Sequence, residues 1–284
     1  MNEVTVTRAA APDAIPTPRT AAARRRARRW QLRLAARQVG YEHRSFWRNR
    51  SRAFFSFLMP IILLVIAGSV NRGDRITERG NVAFATFFVP GILAYGIITA
   101  TFANLAASLT LLRDQGVLKR MRGTPLPPWA YMVGRVGSST LAMLELVAVT
   151  LAVGWAAFGT HVRGSTLPGL ALALVAGMVC FTALGIGATT VIPNADAAQP
   201  VTTALVLPLT FISGIFFVPE RLPAWLNQVA GAFPIKRLAD ALQFAYDPRT
   251  GGAGIAGHDL VVLALWTAAG VALMRSFRWE SNRP

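Results

Sequence analysis

Val82–Leu112 runs for 31 consecutive residues without one Asp, Glu, Lys or Arg, and this stretch constrains the chain more than any other feature. As a helix rising ~1.5 Å per residue it would be ~46 Å long, more than the ~30 Å hydrocarbon core of a bilayer. Five further segments have similar character: Ala53–Val70, Val136–Gly159 (interrupted only by Glu145), Leu167–Ile192, Val201–Val218 and Leu260–Phe277, in which the Arg275 stem reaches toward the interface. The spacing predicts an all-α polytopic membrane protein with six transmembrane helices. A β-barrel would instead show alternating segments of roughly ten residues. Composition agrees, since only 15% of residues are charged against about 25% in soluble domains.

The 29 Lys and Arg outnumber the 13 Asp and Glu, giving +16. Such an excess can mark a nucleic-acid binder, but here its distribution gives another meaning. Alternate inter-span segments hold 21 basic residues on one side and 8 on the other. The positive-inside rule then puts both termini in the cytoplasm and leaves no role for nucleic acid. The single cysteine, Cys180, excludes a disulfide framework, and His43, His161 and His258 are too scattered for a metal site. No phosphate-binding G-x-x-x-x-G-K-[ST] loop is present, so the chain has no ATP site of that kind. Ser108, Ser138, Ser139 and Ser213 have no His, Asp or Lys partner at a useful spacing. These absences argue against an enzyme and predict no cofactor in this chain; transport or scaffolding remains.

Residues 1–29 read as a disordered basic tail, and no apolar stretch precedes residue 53, so no signal peptide is expected. Residues 30–52 read as an amphipathic interface helix, with Leu32, Ala35, Val39 and Phe46 on one arc and Arg33, Arg37, Arg44 and Arg48 opposite, suited to membrane lipid headgroups. The six-span domain occupies 53–284. Within it, residues 113–122 mix charge with Val117, Leu118 and Met121, and Pro125, Pro127 and Pro128 stop any helix there. Such a helix would offer a small knob to a cytosolic partner. Residues 219–246 are half apolar and broken at Pro219, Pro223 and Pro234, which predicts an external hairpin of two short helices dipping into the outer leaflet before the last span, with Trp225 at interface depth. Glu145 is the one ionisable residue deep in a span, where it would face a cationic or polar substrate, a basic neighbour, or a Ser or Thr hydroxyl. Gly177, Ala183, Gly185, Gly187 and Ala188 predict close helix packing.

Asp114-x-Gly116, the basic stretch after it, Thr124-Pro125-Leu126-Pro127 and Gly134-Arg135 together resemble the ABC-2 family, the membrane subunits of ATP-binding-cassette exporters. The segment FISGIFFVPERLPAWLNQVAGAFP, residues 211–234, resembles the family's pattern before its last span. The R-D-Q-G-V-L-K-R form is most similar to antibiotic exporters of the daunorubicin-resistance type, although Gln115 stands where a charged residue is common. The resemblance implies a permease in the bacterial cytoplasmic membrane that exports a hydrophobic or amphipathic antibiotic, drug or lipid-like molecule by alternating access. It implies a permease homodimer with two copies of a separate ATP-binding subunit, which would bind ATP and Mg. It makes Arg113, Asp114, Gln115, Gly116, Val117, Leu118, Lys119, Arg120, Met121 and Arg122 the coupling helix. Glu145, Phe211, Phe216 and Phe217 are expected on the substrate pathway, and Pro219, Leu222, Pro223, Trp225 and Pro234 at an external gate. The rival readings are an ion-gradient-driven transporter or channel using Glu145, and a non-transporting scaffold.

Overall fold

The computed structural model describes residues 21–117, 120 and 128–275, and these are predominantly helical. Helix α1 is Ala21–Arg48. α2 starts at Arg50–Ala53, widens through a π turn at Phe54–Leu58 and continues as Met59–Val70. The wide turn falls just before Pro60, which lacks an N–H and crowds the carbonyl four residues back. An antiparallel pair follows, β1 (Arg75–Ile76) and β2 (Val82–Ala83). Then come α3 (Phe84–Asp114), α4 (Pro128–Phe158), α5 (Leu167–Ala188), α6 (Ala195–Ile212), α7 (Ala224–Ala232), α8 (Pro234–Tyr246) and α9 (Gly257–Met274). Among the described residues, α3, α4, α5, α6 and α9 are the five helices long and apolar enough to cross a membrane, and Phe54–Val70 is a shorter apolar helix.

Counting uncharged residues places several helix starts late, those of α4 and α6 most of all. α4 begins at Pro128 rather than Val136, because Arg135 is accommodated inside the helix by Glu42 (3.0 Å) and the Tyr131 hydroxyl (3.1 Å). α6 begins at Ala195 rather than Val201, because Asn194 caps it: Asn194 Oδ1 accepts from the Ala197 N–H at 2.9 Å. α6 also stops earlier than expected, at Ile212, two residues before Gly214 turns the backbone into the left-handed region at φ +75°.

α1 begins at Ala21, so residues 21–29, expected in a disordered tail, are helical. It lies along the first half of α4 and runs in the same direction, Gln38 meeting Gly134, Val39 meeting Gly137 and Phe46 meeting Ala142. α2 then accompanies the second half, ending with Gly68 against Phe158. A Cβ at Gly137 would stand 2.6 Å from Val39 Cγ2, so glycine is what lets the two helices approach. The buried side of α1 takes in Ala35, Val39 and Phe46 of the expected apolar arc but not Leu32. Ala35 and Phe46 face α4, but so does Glu42, while Leu32 is 60% exposed together with Trp30 and Tyr41. Polar side chains hold α1 to the bundle, and much of its apolar surface is left facing outward.

The core gathers around α3, the most enclosed spanning helix, whose Leu93, Ile97, Ile98 and Leu105 are buried. α7 and α8 form the expected pair of short helices, and α8 is built into the bundle. Ile235, Leu238, Leu242 and Ala245, spaced along one helical face, are buried against α3, α5 and α9. α5 packs tightly against its neighbours through the small residues picked out in the sequence: a Cβ at Gly185 would lie 2.9 Å from the Phe102 carbonyl oxygen. The bundle therefore has an α1 end, where α3 stops and α6 starts, and a hairpin end, capped by the β-hairpin, α7 and α8.

Candidate functional site

Two clefts lie on the face shared by α2, α3 and α6. The one toward the hairpin end, about 710 Å³, is lined by Phe84, Phe88 and Tyr95 of α3, Phe211 of α6, and Phe216 and Phe217 just beyond it. The one toward the α1 end, about 540 Å³, is lined by Ser51, Ser56, Thr99, Asn104, Ser108 and Gln199 among apolar residues, with no charged side chain among the described residues. Tyr95 and Thr99, one turn apart on α3, belong to the first and second cleft respectively, so the two follow a single stripe of that helix. The division coincides with a π segment at Ile98–Ala103, a widening that often marks functional positions in helices. Threonine hydroxyls occupy carbonyls along it: Thr99 Oγ1 donates to Tyr95 O (3.0 Å) and Thr101 Oγ1 to Ile97 O (2.6 Å).

Three of the four residues expected on the substrate pathway come together. The Phe211 ring is 5.3 Å from Phe216 and 5.7 Å from Phe217, and Tyr95 is 5.5 Å from Phe216. Glu145 meets neither cleft. Its Oε1 lies 3.0 Å from His43 Nε2 on α1, so a basic residue of a neighbouring helix is its partner. Trp47 Nε1 also approaches that His43 nitrogen, at 3.2 Å. A third hollow, about 290 Å³ and lined by α3, α5, α6, α8 and α9 side chains such as Phe181, Leu205 and Trp266, is apolar among the described residues but for the Trp266 indole N–H, which donates to Ala232 O (2.9 Å), and the Thr202 hydroxyl. That hydroxyl is engaged by the Ala198 carbonyl at 2.8 Å, which leaves nothing there to orient a polar ligand.

The expected gate residues are dispersed. Leu222 borders the aromatic cleft, Pro219 is buried and its carbonyl accepts from Asn227 Nδ2 (2.7 Å), Pro223 and Trp225 face outward, and Pro234 lines the apolar hollow. The hairpin end is instead fastened by Arg79. It donates to Gln243 Oε1 (2.7 Å) and Glu220 Oε1 (2.9 Å), and its guanidinium lies 4.9 Å from the Phe87 ring centre. Gln243 Nε2 in turn donates to the Gly214 carbonyl (2.7 Å). Glu78 pairs with Arg221 at 3.0 Å, and that hydrogen bond holds its carboxyl below the usual range. Residues 71–81 form one of the segments between the uncharged stretches. The Gly80-Asn81 turn signal was the available hint that β1 and β2 would bring Arg79 back over α8.

At the α1 end, α3 terminates as the acid-x-Gly pattern requires. Gln115 ends the helix, Gly116 follows at φ +67°, and the Gly116 N–H donates to the Arg113 carbonyl (3.1 Å). Arg113 does not point away from its own chain: Nη1 donates to Thr189 O (2.5 Å) and Nη2 to Ile192 O (2.7 Å). Asp114 Oδ2 accepts from the Ala195 N–H at 3.1 Å. Arg120 closes a turn back to Gly116 through its N–H (3.0 Å). Of the remaining coupling-helix residues, Leu118, Lys119, Met121 and Arg122 lie outside the described residues.

The ABC-2 type transporter family matches residues 39–246, from the middle of α1 to the end of α8. The chain belongs to that family. This ABC-2 protein is 23% identical over 212 residues to the inner membrane transport permease YadH of Escherichia coli K12, covering 72% of this chain and 82% of that protein. It is 26% identical over 216 residues to the daunorubicin resistance ABC transporter permease protein DrrB1 of Streptomyces coeruleorubidus, covering 75% and 73% respectively. It is also 25% identical over 186 residues to nodulation protein J of Rhizobium leguminosarum bv. viciae, covering 65% and 70%. The family match takes in both clefts, the Arg113–Asp114 contacts, the β-hairpin, α7 and α8, and α9 lies beyond it.

Proposed function

We propose that the chain is the membrane permease of an ATP-driven exporter, with substrate moving along the α2–α3–α6 face. The observation that carries this reading is the continuity of that face. One stripe of α3 lines an uncharged hydrogen-bonding cleft and then an aromatic one, and the same helix ends where the coupling segment begins. The coupling segment that opens at Arg113 would dock, through its residues beyond Gly116, on a separate ATP-binding subunit, which supplies ATP and Mg. The uncharged inner cleft favours a substrate with a neutral polar group, and the rings of Tyr95, Phe211 and Phe216 favour an aromatic or apolar body. Similarity to a daunorubicin resistance permease points the same way and supports an outward direction.

Six spans are counted here with α2 as the first. Phe54–Val70 alone gives 17 residues, but residues 50–70 give 21, or ~31 Å, enough to cross. With the inner face carrying 21 of the basic residues, both termini lie in the cytoplasm. The clefts are open on the side away from α3, where Phe55, Phe211 and Phe217 are exposed. A second copy of the chain would enclose the pathway, and each copy would bind one ATPase. The ion-coupled alternative has less support, because Glu145 faces α1 rather than either cleft.

The test is reconstitution. In inside-out vesicles carrying the chain and an ATP-binding subunit, daunorubicin should accumulate with ATP and not without it. Accumulation that ignores ATP and collapses with the proton gradient would refute the proposal.

A further inference from the structure

The proposed coupling residues make contacts that a docking surface does not need. Arg113 and Asp114 close the last turn of α3, yet both reach about 80 positions along the chain to the turn between α5 and α6. The Arg113 guanidinium occupies the Thr189 and Ile192 carbonyls, which follow the last turn of α5. The Asp114 carboxylate takes the Ala195 N–H, the first of α6. One residue thus neutralises a helix C-terminus and the next a helix N-terminus, each with the charge sign that the helix dipole favours. Beneath them Ala106, Ile192 and Ala198 pack as a small buried cluster, so the clamp rests on close apolar contact.

We infer that Arg113 and Asp114 are positioning residues that deliver movement of the coupling segment to the α5–α6 turn, and through it to α6. This rests on the permease reading above. α6 suits the part: it contributes Ala198 and Gln199 to the inner cleft and Phe211 to the outer one, and it is far less enclosed than α3. Pro200 and Pro208 interrupt its internal hydrogen bonds. Displacing the end of α3 would therefore pull the start of α6 with it and change the width of the cleft between them.

The test uses the full permease with its ATP-binding subunit. Arg113→Lys keeps the inner-face charge but loses the two-carbonyl grip, and Asp114→Asn keeps the shape but loses the charge. Both variants should co-purify with the ATPase and hydrolyse ATP normally, while daunorubicin moved per ATP falls about tenfold, the size of coupling carried by single network residues. An Asp114→Cys/Ala195→Cys pair should be uncoupled when reduced and regain transport when oxidised. A docking role cannot give that rescue, because the disulfide never touches the ATPase. Normal transport in both single variants would overturn the inference. So would loss of ATPase binding, failure of either variant to accumulate in the membrane, or a cross-link that does not form or does not restore transport. If the unmodified permease neither binds an ATPase nor moves substrate with ATP, the permease reading fails instead.

Discussion

At the hairpin end the polar groups pair mainly with one another: Arg79 with Glu220 and Gln243, Glu78 with Arg221, Arg237 with Asp259 at 3.1 Å. At the α1 end, Arg113 and Asp114 hold backbone carbonyls and an amide at the tips of two spans. The first arrangement sits over a buried helix, α8, and locks a lid in place. The second rests on a few small side chains and joins helix ends that must separate or slide if the clefts are to alternate. The difference predicts that damage to the hairpin end registers as lost stability, and damage to the α1 end as lost coupling.

The sharpest way to break that division is to empty the core under the lid. Leu238 is fully buried and packs on Gly177, so Leu238→Ala should cost about 2–5 kcal/mol, read as a large drop in melting temperature in detergent. Transport per ATP by the molecules that remain folded should be unchanged; uncoupling there would erase the distinction between the ends. Gln243→Leu comes next. It leaves the Gly214 carbonyl without its donor and Arg79 without one acceptor, for about 1–3 kcal/mol, again in melting temperature rather than coupling.

Less of this was legible in the sequence than the helix count suggests. The long apolar helices, the two short helices α7 and α8 and the acid-x-Gly end of α3 follow from runs of uncharged residues and from Pro and Gly placement, which act locally. The docking of α1 does not, because it depends on Glu42 and His43 finding Arg135 and Glu145 on α4, partners about 100 positions away that nothing local to α1 announces. The clamp was hidden for a related reason. Positive charge next to a span reads as topology, and nothing local to Arg113 tells that its acceptors are the carbonyls of residues 189 and 192. The aromatic cleft was half legible: Phe211, Phe216 and Phe217 were singled out, while Tyr95 and Phe88, inside the longest uncharged stretch, carried no distinguishing mark.

A smaller effect sharpens the picture of the hairpin end through pH. Asp247 hydrogen-bonds Arg249, which holds its carboxyl below the usual range. It therefore stabilises the fold above the ordinary carboxylate pKa, and that contribution is lost as pH falls through its lowered value. Asp240 is the reverse case: burial raises its pKa, opposed by Lys236 and Arg79 and reinforced by Asp259. Its contribution is full below the ordinary pKa and is lost as pH rises through the raised one. Near neutral pH, Asp247→Asn should lower the melting temperature by a few degrees, and Asp240→Asn should leave it unchanged or higher. The Asp247→Asn deficit should shrink as pH falls below the ordinary carboxylate value near 3.8. Equal losses at neutral pH from both substitutions would contradict these assignments.

In the proposed mechanism, ATP hydrolysed by a partner subunit drives substrate along the α2–α3–α6 face. The most direct measurement is the initial rate of ATP-dependent daunorubicin uptake into inside-out proteoliposomes of the permease and its ATPase, comparing the native chain with Phe216→Ala. Phe216 joins the rings of Tyr95, Phe88 and Phe211, so the account predicts uptake that requires ATP, survives dissipation of ion gradients and falls at least severalfold in the variant while ATP hydrolysis continues. Equal uptake rates in the two proteins, or uptake that follows the ion gradient instead of ATP, would contradict it.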